Sequence, residues 1–74
     1  MFVKIKPYVV ERDINNKSYK VNKADDIEYL RKDCICSITK TTYMTNDEQC
    51  LWKISLDNTS FLYVDDKTVK EIIR

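Results

Sequence analysis

Histidine and glycine are absent from this chain, proline occurs once (Pro7), and no apolar run approaches a membrane span. Each absence removes a class of function. Without His, the Ser–His and Cys–His pairs that activate a nucleophile cannot form. Without Gly, the loops that cradle phosphate are excluded in their usual forms. A bilayer-crossing helix needs about 18 or more consecutive apolar residues, so no membrane association is expected. The opening "MFVKIKPYVVERD" breaks its apolar run with lysines and then acids, so no signal peptide is expected either. These features predict a cytoplasmic protein with its three cysteines reduced. A Gly-free chain with abundant Lys, Asn, Ile and Asp suggests an AT-rich genome, such as that of a bacterium or its phage.

What is present describes one small, soluble domain spanning residues 1–74. The apolar fraction is 43% and the charged fraction 34%. A chain of 74 residues buries only about 60–65% of the surface its unfolded form exposes, so its core is thin. Such chains often gain support from self-association. The net charge of +1 names no partner, but it is unevenly spread: +4 over residues 1–23, −2 over 24–33 and −1 beyond.

Apolar rhythm predicts the elements. "MFVKIKPYVVE" alternates, with Val3 and Ile5 opposite Phe2, Lys4 and Lys6, which reads as a strand with an edge or bulge at Pro7. Asn15–Asn16 suits the positive φ of a hairpin turn, and "SYKVNK" returns the strand with Tyr19 and Val21 inward. In "KADDIEYLRKD", Ile27 and Leu30 are three apart behind Asp25, which predicts a short helical turn. "CICSITKTTY" is a strand with Cys34, Cys36 and Ile38 on one face, and "MTNDEQ" is a polar loop. Cys50, Trp52, Ile54 and Leu56 then alternate on a half-buried strand, "DNTS" turns, and "FLYV" returns. Asp65 or Asp66 caps a final helix whose stripe is Val69, Ile72 and Ile73. The expected fold is α+β, mainly β: about five strands in an antiparallel meander or open barrel, a short helical connection and a C-terminal helix.

The candidate chemistry is thin. Cys34, Cys36 and Cys50 lack the spacing and the fourth ligand of a zinc site, and read as small buried core residues. The pairs Asp25–Asp26 and Asp65–Asp66 could hold a cation or move protons, but both stand where a helix should begin, which makes them caps. No enzyme activity, cofactor or metal is expected.

Binding is the remaining class. Phe2, Tyr8, Val10, Leu51, Leu62 and Val64 fall opposite the expected core, more apolar side chains than a solvated face should carry. A protein partner, either a second copy or a host protein, is therefore expected on Phe2, Tyr8, Val10, Leu51 and Leu62, or along the free edge of the first strand. The alternative is nucleic acid bound by Lys4, Lys6, Lys20 and Lys23 with Tyr8 or Phe2 as stacking surfaces, although a pI near 7.6 is less basic than such binders usually are.

Residues 19–74 resemble the FlbD-like proteins, a group of small bacterial and phage proteins. "YKVNKADDIEYL" is similar to the first half of that pattern and "ISLDNTSFLYVDDKTVKEIIR" to the second, with Val64, Thr68, Val69, Glu71 and Ile72 at the closing strand and helix. The family's turn Gly is replaced by Asn58–Thr59, "MTNDEQ" lengthens the middle loop, and Thr68 stands for a Ser. The resemblance implies a small β-rich domain with a terminal helix, and it carries over no catalytic residue.

Overall fold

The computed structural model describes residues 2–15 and 17–73. Seven strands and one helix follow in the order β1 (Phe2–Ile5), β2 (Tyr8–Asp13), β3 (Ser18–Lys23), β4 (Glu28–Arg31), a 3₁₀ turn (Lys32–Cys34), β5 (Ile35–Met44), β6 (Cys50–Leu56), β7 (Phe61–Val64) and α1 (Asp66–Ile72). Strands β3-β2-β7-β6-β5 form one sheet, and β1 and β4 form a separate two-stranded ribbon. All pairings are antiparallel. The fold is thus mainly β with one C-terminal helix.

The first four strands are one long hairpin, broken in the middle. Ile5 faces Glu28 and Tyr8 faces Lys23, so Lys6 and Pro7 stand against four residues, 24–27. Proline has no N–H to give a ladder, which ends β1. Its carbonyl still accepts the Ala24 N–H at 2.8 Å, and Pro7 is buried at this junction rather than lying on a simple edge. The excess length on the other strand lets the ribbon turn out of the sheet and fold over its apolar side. A helical turn was expected around Ile27 and Leu30; instead Glu28–Arg31 is strand, and the turn comes later, at Lys32–Cys34. The three-residue spacing misled because Leu30 alone enters the core while Ile27 stays half exposed. Asp25 and Asp26 accordingly cap no helix; they lie in the bend that precedes β4.

Ile5 and Leu30 from the ribbon meet Ile54, Val64, Val69 and Ile72, with Val3, Ile35, Ile38, Trp52, Leu56 and Leu62 around them. Burying each such side chain contributes about 1.5–3 kcal/mol. The helix is seven residues long and is stable only because Val69 and Ile72 are docked. Asp65 caps it, accepting the Thr68 N–H at 2.9 Å. Ile73 lies past the last turn and is exposed, so the expected third member of the stripe is missing.

With no Gly in the chain, other residues occupy left-handed backbone at turns; among the described residues these are Lys17 (φ 52°), Glu48 (φ 62°) and Thr59 (φ 71°). Asn15–Asn16 was expected in that role; Lys17 takes it, and Asn16 lies outside the described residues. Thr59 closes the β6–β7 turn, where its N–H bonds the Leu56 carbonyl at 3.2 Å.

Candidate functional site

Two surfaces carry the aromatic residues other than Trp52, and they differ in how much of them is covered. The first is the side of the five-stranded sheet away from the main core. Tyr8 faces Tyr63, the one register pair that joins β2 to β7 among the described residues. Beyond it the β2–β3 hairpin leaves the sheet, and its far end is returned by Tyr19, whose ring meets Tyr43 of β5 edge-on at 5.0 Å. Tyr43 meets Tyr63 at 5.6 Å, and Tyr63 meets Phe61 at 5.4 Å, both edge to face. Strands at opposite edges of the sheet are therefore bridged by side chains, so the sheet curls toward an open barrel.

That curl changes the status of the residues expected to bind a partner. Leu51 is fully buried and is removed from the contact list. The cause is a bulge: Lys40 faces Trp52 and Met44 faces Cys50, so Thr41–Tyr43 stand against Leu51 alone. The Thr41 hydroxyl donates to the Leu51 carbonyl at 2.8 Å and accepts the Tyr43 N–H at 3.2 Å, which fixes the bulge. Tyr8 and Val10 are half-buried on this side, with Val10 opposite Val21. Leu62 faces Ile54 and packs on the main core, and Val64 is fully buried within it. Lys23 lies over the Tyr8 ring at 5.8 Å and Lys53 over Phe61 at 4.5 Å, while Phe61 stays 48% and Tyr19 42% exposed.

Burial first, then the nearby Asp65 and Asp47 carboxylates and a hydrogen bond to Asp65, raise the Tyr8 phenol above its ordinary value. Burial and then Tyr43 raise Tyr63, and Arg12 opposes the rise. Both are neutral phenols serving structure.

The second surface is the outer face of the β1–β4 ribbon. Phe2 faces Arg31 and Lys4 faces Tyr29, and because alternate residues share a side, these four stand together. Val3, Ile5 and Leu30 occupy the other side, toward the core. Phe2 is 63% exposed and Tyr29 67%, flanked by Lys6 after β1 and by Ile27, 49% exposed, before β4. The two residues are diagonal neighbours, a relation that sets positions about 7–8 Å apart in such a ladder. Asp33 lies 3.7 Å from Arg31, with both side chains largely in solvent.

Phe2 from the expected protein-binding set and Lys4 and Lys6 from the expected nucleic-acid set thus meet on one face. Tyr29 and Arg31 join them, although sequence reasoning assigned both to a helical turn. The alternation Glu28-Tyr29-Leu30-Arg31 was the signal that could have placed them. Lys20 and Lys23 do not join: Lys20 faces Glu11 on the far side of the hairpin, and Lys23 covers Tyr8.

Elsewhere the chemistry does not converge. A groove of about 1000 Å³ beside Trp52 mixes Lys40, Lys67 and Lys70 with Glu48, Asp66 and Glu71. Lys70 is already paired with Asp66 at 3.0 Å, and Lys40 lies over the indole at 6.0 Å. The cysteines are not uniformly buried: Cys34 and Cys50 are half-buried, and Cys36 is exposed because it is the extra residue of a second bulge between Ile35 and Ser37. Among the described residues, no group of three or more His, Cys, Asp and Glu side chains is placed to hold a metal ion, and no helix is long and apolar enough to cross a bilayer. No protein-family model matches the chain, and neither a curated protein nor a solved structure proved similar to it.

Proposed function

We propose that this chain is a non-catalytic, cytoplasmic, regulatory protein-binding module whose contact surface is the outer face of the β1–β4 ribbon. One observation carries the reading: Phe2 and Tyr29, two large aromatic side chains, stand about two-thirds exposed side by side. Exposing such rings in water forgoes burial that a 74-residue chain needs. Aromatic residues next to Arg are also the usual anchors of protein interfaces. The composition supports a phage or other mobile element as the source, with a host protein as partner.

The test is site-specific photocrosslinking in the source cells. A photoreactive phenylalanine at position 2 or 29 should give protein adducts, and one at position 40, beside the Trp52 groove, should not. Adducts confined to position 40 would sink the reading. Nuclease-sensitive adducts at 2 and 29 would replace it with nucleic-acid binding.

A further inference from the structure

The ribbon also limits what kind of protein can sit on it, and this inference rests on the binding surface just proposed. β1 pairs with β4 on one side, and among the described residues no strand pairs with its other side. An unpaired edge is a template for an added strand.

The side chains of β1 set the sequence such a strand would need. A strand laid beside β1 continues both faces of the ribbon, so its alternate residues fall next to Val3 and Ile5 on the core side and next to Phe2 and Lys4 on the outer side. The first set must be apolar. The second meets Lys4, with Lys6 beyond it, and must be acidic. β1 carries no acid, whereas β4 carries Glu28 as well as Arg31, so β1 is the better edge for an anion.

Two other occupants fit less well. A second copy paired antiparallel through the middle of β1 would set Lys4 against Lys4, and like charges facing each other across a pair are destabilising. A nucleic-acid backbone spread over the ribbon would meet Asp25, Asp26, Glu28 and Asp33, equal in number to Lys4, Lys6, Arg31 and Lys32, whereas a strand laid along β1 alone meets Lys4 and Lys6. We infer that the β1 edge receives an extended segment of another protein in which acidic and apolar residues alternate.

The experiment follows backbone amide shifts of the full chain on addition of a peptide of about eight residues alternating Glu with Val, the length of a strand with its flanks. Shifts at Val3, Lys4 and Ile5 are expected, with little change at Lys53 or Lys67. A central proline in the peptide should abolish them, since it removes a ladder donor. Lys4→Glu should weaken binding about tenfold and improve binding of the Lys-for-Glu peptide. Lys4 is exposed, so this variant should remain folded.

Equal binding of the proline peptide would overturn strand addition while leaving the ribbon as a contact surface. Shifts of the same amides by an oligothymidylate, with none by the peptide, would overturn both this inference and the protein-binding reading. A dimer joined through β1 would identify a second copy as the occupant and overturn the acidic partner.

Discussion

The Tyr8 phenol stands near the Asp65 carboxylate, whose charge helps raise its pKa, and the same carboxylate accepts the Thr68 N–H and caps α1. One carboxylate thus ties β2 to the start of the helix, and the neighbouring pair Tyr8–Tyr63 ties β2 to β7. These two links join the N-terminal hairpin to the C-terminal half of the sheet.

Removing either partner of the first link should weaken the fold in a coupled way. Tyr8→Phe should cost about 1 kcal/mol for the lost interaction between the half-buried hydroxyl and that carboxylate. Asp65→Ala should cost about 1–2 kcal/mol, because it loses the cap as well. The double variant should be less destabilised than the two losses added, by about 0.5 kcal/mol or more. Urea unfolding of the four proteins measures this; strict additivity would show that the link contributes nothing.

The same phenols set an alkaline limit. Tyr8 and Tyr63 have pKa values raised above the ordinary 10.0 in the folded chain, so between 10.0 and the raised values the folded state holds protons that the unfolded state has lost. Their contribution is therefore complete below pH 10.0 and declines as pH climbs through the raised values. Unfolding free energy measured across that range should fall, and the double variant Tyr8→Phe/Tyr63→Phe should flatten the decline. An unchanged slope in that variant would contradict the assignment.

The glycine-free turns leave room for improvement. Thr59 is β-branched and sits at φ 71°, where a side chain crowds the backbone. Thr59→Gly should stabilise the protein by about 1 kcal/mol, the left-handed strain relieved less the entropy that Gly adds to the unfolded chain. Chemical denaturation reads this directly, and a destabilised variant would mean that the strain is not there.

Tyr43 should hold the open barrel shut. Its ring is the bridge between Tyr19 on β3 and Tyr63 on β7, so Tyr43→Ala should cost about 2 kcal/mol for the two aromatic pairs. Hydrogen exchange should accelerate at the far end of the β2–β3 hairpin more than at β6. Uniform acceleration would show that the hairpin is not held separately.

Legibility in the sequence follows the range of the interactions. The C-terminal unit was readable because its signals are local: Cys50–Leu56 alternates, "DNTS" turns, and Asp65 stands at the cap of a stripe containing Val69 and Ile72. Lys4 and Lys6 opposite Val3 and Ile5 was readable for the same reason. The rest depends on registers set by distant partners. Leu51 keeps strict alternation yet is buried, because a bulge forty residues from the start of the chain places three residues of β5 against it. Leu62 and Val64 reach the core through their pairing with Ile54 and Trp52. Tyr29 and Arg31 reach the candidate site only because β4 finds β1 across the whole first hairpin, and a spacing of three between Ile27 and Leu30 concealed the strand.

The measurement that bears most directly on the ribbon is hydroxyl-radical footprinting of the free protein and of the protein bound to the partner recovered by crosslinking. Phe2 and Tyr29 should be readily oxidised in the free chain and protected in the complex, while Tyr19 and Phe61 react equally in both. Protection of Tyr19 and Phe61, with Phe2 and Tyr29 still reactive in the complex, would move the contact to the curled sheet and contradict the assignment of the ribbon.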